Sequence, residues 1–217
     1  MLKARYGESE ERRHYINVEW FGADPWRSLN PSLRVMQRRF GDRIIDRAGT
    51  LPWTIEEVAA RLESAWRRGD CGGGLLLSGY LAHYVGDASQ PLHSTINYDG
   101  YAGDRGVHAR LELAVDHSLN TLEPAAAEQV HIERINDVWT PAIAEIRDAN
   151  GLIGEVIRDD RSARDQGDFR GRDYQRAMMR ADAAMFTRQI ARASSVLASI
   201  WIYEWLRADS HASCVSR

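Results

Sequence analysis

Three of the chain's seven histidines, His83, His93 and His108, fall within 26 residues, and two of them stand four residues ahead of a carboxylate, His83 before Asp87 and His108 before Glu112. A spacing of four puts both side chains of a pair on one face of a helix. The setting of the first pair is unusual. From Cys71 to Tyr98, Asp87 is the only charged residue. A lone buried carboxylate costs several kcal/mol unless it is paired or coordinates a metal, and the stretch offers no Lys or Arg to pair it. Pro91 ends the helix and turns the chain, so His93 follows in a loop that could aim it back at the helix end. The second pair, His108 and Glu112, shares its side of a helix with Leu111, Val115 and Leu119. One such pair is usually an ordinary hydrogen-bonded core contact. Two pairs with a loop histidine between them supply five ligands of imidazole and carboxylate type. That set suits zinc, bound through nitrogen and oxygen with one position open for water. The spacing is not the ExxH of a di-iron bundle or the HExxH of a zinc protease helix.

The elements that must position these residues read as helices nearly throughout. Leu33, Met36, Phe40 and Ile44 repeat at helical spacing, with Gly49 as a stop. Thr54, with Glu57 three residues on, reads as the cap of a helix whose buried stripe is Ile55, Val58, Leu62 and Trp66. After Gly72, Gly73 and Gly74, the run to Ser89 reads as a helix buried on nearly all sides, with Leu76, Tyr80, His83 and Asp87 on one stripe. A helix over 106–120 follows, then two helical pieces after Pro124 that break at Pro141. Residues 159–173 are polar and contain glycine, which predicts a surface loop; a last helix spans roughly Tyr174 to Leu206, ahead of a frayed tail at 210–217. No strand and no repeat is evident. The expected class is all-α, a single-domain multi-helix bundle over residues 1–217.

Bulk properties narrow the function. At 44% apolar and 27% charged residues the composition is that of an ordinary globular protein, and a net charge of −3 argues against a strongly basic nucleic-acid binder. Lys3 is the only lysine. Cys71 and Cys214 form no CxxC pair and no disulfide framework, which leaves the redox compartment open. No apolar run approaches the ~20 residues that span a bilayer. The first residues hold no apolar core of a secretory signal.

HYVGDASQPLH (83–93) followed by GVHARLE (106–112) resembles the zinc-dependent phospholipase C and S1/P1 nuclease superfamily, whose pattern is HxxxD, a His six residues on, then HxxxE or HxxxD. Upstream, RHYINVEW (13–20) is similar to that superfamily's HYID segment. The resemblance covers about residues 10–115. It implies the superfamily's helical fold, with His14, His83 and Asp87 holding one zinc and His93, His108 and Glu112 the second. It further implies that Asp87 reaches toward a third zinc, which the family has and for which this chain supports no full ligand set. Glu112 matches the phospholipase branch, where the fungal nucleases have Asp. The family's N-terminal Trp, the His close behind it and a catalytic Asp have no counterpart here. Only 13 residues precede His14, and Glu8, Glu10 and Glu11 are poor substitutes for that Asp. The resemblance therefore implies either a chain that begins downstream of the family's start or, as the rival reading, a degenerate, inactive homologue, and it implies a secreted or periplasmic protein.

The functional expectation is a zinc-dependent phosphodiester hydrolase acting on a phospholipid head group or single-stranded nucleic acid, with no protein partner expected. The alternative is a non-catalytic helical metal-binding or interaction protein. Asn97, Tyr98 and Asp99, between the ligands, could line the cleft or simply form a turn. His117, beside Asp116, is in the wrong order for an HD phosphohydrolase; His131 and His211 read as surface residues, and Trp201, Tyr203 and Trp205 as packing for the last helix.

Overall fold

The computed structural model describes residues 8–168 and 170–208; Lys3, His211, Cys214 and the tail read as frayed lie outside the described residues. Every regular element among the described residues is helical. A short helix α1 (Glu8–Glu11) leads through a turn at residues 12–13 to an irregular segment through residue 17 and a 3-10 turn, Val18–Phe21. There follow α2 (Pro25–Ser28), α3 (Leu33–Phe40), α4 (Asp42–Ala48), α5 (Leu51–Arg67) and α6 (Cys71–Ser89). A second 3-10 turn, Pro91–Ser94, carries His93. Then come α7 (Val107–Asp116), α8 (Leu119–Ala127), α9 (Trp139–Gly151), α10 (Ile153–Arg164) and α11 (Arg172–Arg207). At 36 residues α11 is about 54 Å long and packs against α5, α6, α8 and α10. No described helix is long and apolar enough to cross a membrane.

Two apolar clusters make up the interior. The first joins Ile16, Phe21 and Met36 to Ile55 of α5 and to Leu81 and Val85 of α6. The second joins Leu92 and Leu111 to Val156, Tyr174 and Met178 of the later helices. His83 and Asp87 stand on α6, built into the first cluster. His93, His108 and Glu112 stand on the turn and on α7, built into the second. The site residues therefore meet where the two clusters adjoin.

Several boundaries differ from the sequence expectations, each for a local reason. The helix expected across 33–44 is two helices, because Gly41 adopts φ +83 and breaks it. Thr54 is not a cap. It is buried inside α5, which starts at Leu51 with Pro52 in its first turn. The three glycines belong to α6, which begins at Cys71 because the Asp70 carboxylate accepts from the Gly73 amide at 2.8 Å. Gly74 leaves room for the Trp66 indole, which a Cβ there would meet at 2.8 Å. Nor is α6 buried on nearly all sides: Leu75, Leu76 and His83 are exposed. The stripe bearing His83 and Asp87 faces an open cavity. Pro124 lies within α8 and Pro141 in the first turn of α9, while residues 130–137 form no helix. That stretch is tied to α11 by the His131 and Glu133 amides, which donate to Ser195 and Ser199. The loop expected over 159–173 is helical to Arg164, since its charges pair with buried partners on α7 and the loop before it.

Candidate metal centre

His14 is held by backbone rather than by a helix. The Ile16 amide donates to the His93 carbonyl at 2.9 Å, the Asn17 amide to Ala48 at 2.6 Å, and the Thr50 amide to Arg12 at 2.7 Å. Gly49, at φ +86, allows this approach, because a Cβ there would lie 2.2 Å from the Tyr15 carbonyl oxygen. The result brings His14 against the open stripe of α6. His14 Nδ1 lies 2.9 Å from Asp87 Oδ2 and 3.0 Å from His83 Nε2, and His83 Nε2 lies 3.5 Å from Asp87 Oδ2.

A second triangle forms on the other side of Asp87. His93 Nε2 lies 3.1 Å from His108 Nε2 and 3.5 Å from Glu112 Oε1, and His108 Nε2 lies 2.9 Å from Glu112 Oε1. Ligands bonded to one tetrahedral ion at 2.0–2.2 Å sit about 3.3–3.6 Å apart. Both triangles have nearly these edges, and each is a group of side chains that could hold a metal ion.

The outward nitrogens fix which ring atoms face inward. His93 Nδ1 is 2.6 Å from the His14 carbonyl oxygen, which can only accept, so Nδ1 carries the proton and Nε2 presents a lone pair to the second triangle. His14 Nε2 lies 3.5 Å from Glu10 Oε1, leaving Nδ1 for the first triangle. A histidine whose second nitrogen meets a carboxylate or carbonyl is the usual support of a metal ligand. The same contacts join the two triangles, since the His14 backbone orients His93 and Asp87 Oδ1 lies 3.4 Å from His93 Nδ1. Two or three lone pairs converging without a cation repel. Protons can relieve this through a neutral Nε2–H tautomer, as His108 with its unpartnered Nδ1 allows, or by charging an imidazole, and at His93 the electrostatics lean toward charge. Burial opposes charge on His93, but contact with Glu112 and the field of Asp87 outweigh it, raising its pKa above the ordinary value. The hydrogen bonds from His108 and then His93 hold Glu112 far below the usual carboxylate range. The site is an electrostatic well for positive charge.

All six residues expected from the sequence line one cavity of about 570 Å³, together with Glu11, Tyr15, Asn17, Leu92 and Tyr98. Of the three residues between the ligands, Tyr98 lines the cavity, its ring 6.0 Å from that of His108, while Asp99 accepts from the Gly106 amide and closes the turn. His131 is exposed, as expected, and His117 is exposed at the end of α7. Two contributors escaped the sequence reading. Glu10, set aside as a poor acid, is buried, accepts from the Tyr84 hydroxyl and backs His14. Gln90 places its amide nitrogen 3.3 Å from His108 Nε2 and 3.4 Å from Glu112 Oε1. A glutamine just before the Pro91 turn is its only sequence signal. His108 Nδ1 is buried with no hydrogen-bond partner, so this side chain lacks the backing that His93 and His14 have. Comparison of the chain with protein-family models, with curated proteins and with solved structures gives no match, so the superfamily resemblance rests on the motif residues themselves.

Proposed function

We propose that the protein is a zinc-dependent phosphodiester hydrolase, with one zinc on His14, His83 and Asp87 and a second on His93, His108 and Glu112. The observation that carries this reading is the pair of triangles, each of nitrogen and oxygen ligands with near-tetrahedral edges, opening on one cavity. Three protein ligands per ion leave a fourth position for water or substrate, as catalytic zinc sites do. Zinc there would lower the pKa of bound water and neutralise charge on a phosphoryl oxygen.

The chain's own residues supply placement. Glu10 and the His14 carbonyl fix the two ring orientations, and Asp87 is shared between the triangles. Glu10 is engaged by Tyr84 and Arg13 and is therefore a positioning group, not a proton acceptor. Between the two substrate classes, the neighbouring groove favours lipid. A cavity of about 420 Å³, lined by Leu111, Val115, Leu119, Phe186, Ile190 and Leu197, adjoins the metal cavity and shares Glu112 with it. An acyl chain suits such a wall, whereas single-stranded nucleic acid calls for stacked aromatic platforms, and Tyr98 and Tyr15 are the cavity's only aromatic rings besides histidine among the described residues.

The test is turnover of bis(4-nitrophenyl) phosphate by the zinc-loaded chain, then of a short-chain phosphatidylcholine against single-stranded DNA. Zinc-dependent turnover with preference for the lipid is expected. Tight zinc binding without turnover of any of the three would instead favour the non-catalytic metal-binding protein.

A further inference from the structure

We propose that Glu155, Asp159 and Asp182 form a separate site for a hard divalent cation of the calcium class, joining α10 to α11. One oxygen from each carboxylate lies within 4.8 Å of the other two, a span that two oxygens bonded to one calcium at about 2.3–2.6 Å can cover. Glu155 and Asp159 are four apart on α10 and share its face, and Asp182 comes from α11.

The decisive residue is Asp182. It is 0% exposed, and neither carboxylate oxygen has a hydrogen-bond donor, yet it points at two further acids. A buried carboxylate in that position must take up either a proton or a cation. Burial first, and Asp159 next, raise its pKa well above the ordinary range, which is the cost a cation would remove. The charge balance matches a divalent ion. Among the described residues Arg158 is the cation bonded to the group, through both Asp159 oxygens at 2.7 and 2.8 Å, so three carboxylates and one guanidinium leave two negative charges. The donor set is all oxygen, with neither imidazole nor thiolate, which selects calcium, magnesium or manganese over zinc. Glu155 and Asp159 are partly exposed, so water can complete the coordination from outside. Calcium's larger, looser shell suits three carboxylates fixed on two helices better than magnesium's strict octahedron does. The site is distinct in residues and in ligand chemistry from the histidine triangles.

The experiment is equilibrium dialysis of the full chain, saturated with zinc, against radioactive calcium. One calcium per chain is expected. Asp182→Asn should weaken calcium binding more than about tenfold, since it removes one of three ligand charges. Glu155→Gln should weaken it comparably and, being partly exposed, should leave the fold intact, so it decides the matter if Asp182→Asn does not fold. His108→Ala should leave calcium binding unchanged. The proposal is overturned if the wild-type chain binds no calcium up to millimolar concentration, if both carboxylate variants bind as the wild type does, or if His108→Ala abolishes binding. Loss of binding in the two carboxylate variants alone supports it.

Discussion

Arg110 lies between the two candidate ligands of α7, His108 and Glu112, on the opposite face, and its removal should be felt in both stability and metal affinity. Its guanidinium meets the Asp160 carboxylate on α10 through two bonds of 2.6 and 2.7 Å, and the pair is only 8% and 1% exposed. It also donates to the backbone carbonyls of Asp104 and Arg105 at 2.9 and 2.7 Å. Removing one member of a buried pair costs about 3–5 kcal/mol, because the other charge stays behind in a poor solvent. Asp160 would keep the Tyr174 hydroxyl at 2.8 Å and Arg164 at 3.1 Å, which pulls the cost down. The Asp104 carbonyl keeps the Val107 amide at 3.1 Å, so losing the guanidinium adds little there. Arg110→Met should therefore destabilise by about 3 kcal/mol, the lower end for a buried pair, equivalent to roughly 6–12 °C in Tm for a chain of this length. Urea unfolding followed by circular dichroism measures it. Zinc at His93, His108 and Glu112 should weaken in parallel, because α7 loses its anchor to α10. The double variant Arg110→Met with Asp160→Leu should cost less than the sum of the two single changes. A loss below about 1 kcal/mol for Arg110→Met, or strict additivity, would refute the reasoning.

Gly49→Ala places a Cβ 2.2 Å from the Tyr15 carbonyl oxygen at a φ of +86, so it should cost roughly 1–3 kcal/mol and weaken metal binding at His14 before that at His108; calorimetric titration of each variant with zinc separates the two. Glu10→Gln removes the charge behind His14 and should lower affinity at that ion about 10–100-fold while leaving the second ion in place, read by the same titration. Asp104 is held at about 2 by Arg161, with its burial opposing and Arg164 adding to the effect. A carboxyl whose folded pKa is depressed stabilises above its unfolded pKa and loses that contribution as pH falls through the folded value. Stability should therefore decline from about pH 4 toward 2, and Asp104→Asn should flatten that decline in acid unfolding curves.

The candidate ligands were legible in the sequence because metal chemistry, where it operates, imposes residue type and spacing on a helix at once. His83 with Asp87 and His108 with Glu112 could be read from spacing alone, and the turn at Pro91 explained why His93 should come back toward them. His14 was legible only through the HYIN segment. Its position depends on backbone pairing with residues 48–50 and His93, and on a glycine, none of which leaves a periodic trace. Glu10 and Gln90 were missed for the same reason, since each acts through another residue across 4 to 22 positions. The helical class followed from apolar periodicity. The failures were at ends: Thr54 imitates a cap where Pro52 sets the start, and Gly41 breaks a repeat that the apolar spacing carries straight through. The run 159–173 looked like a loop because its charges are invisible as helix determinants until Asp104 and Arg110 are known to pair with them.

The central claim is that two triangles of side chains each hold one metal ion, and metal counting tests it most directly. Mass spectrometric analysis of the chain after zinc loading and exhaustive dialysis should give about two zinc ions per chain. His83→Ala with Asp87→Asn should reduce this to about one, His108→Ala with Glu112→Gln should also reduce it to about one, and the combination of all four should abolish it. A wild-type chain that retains no zinc, or variants that hold as much as the wild type, would contradict the account.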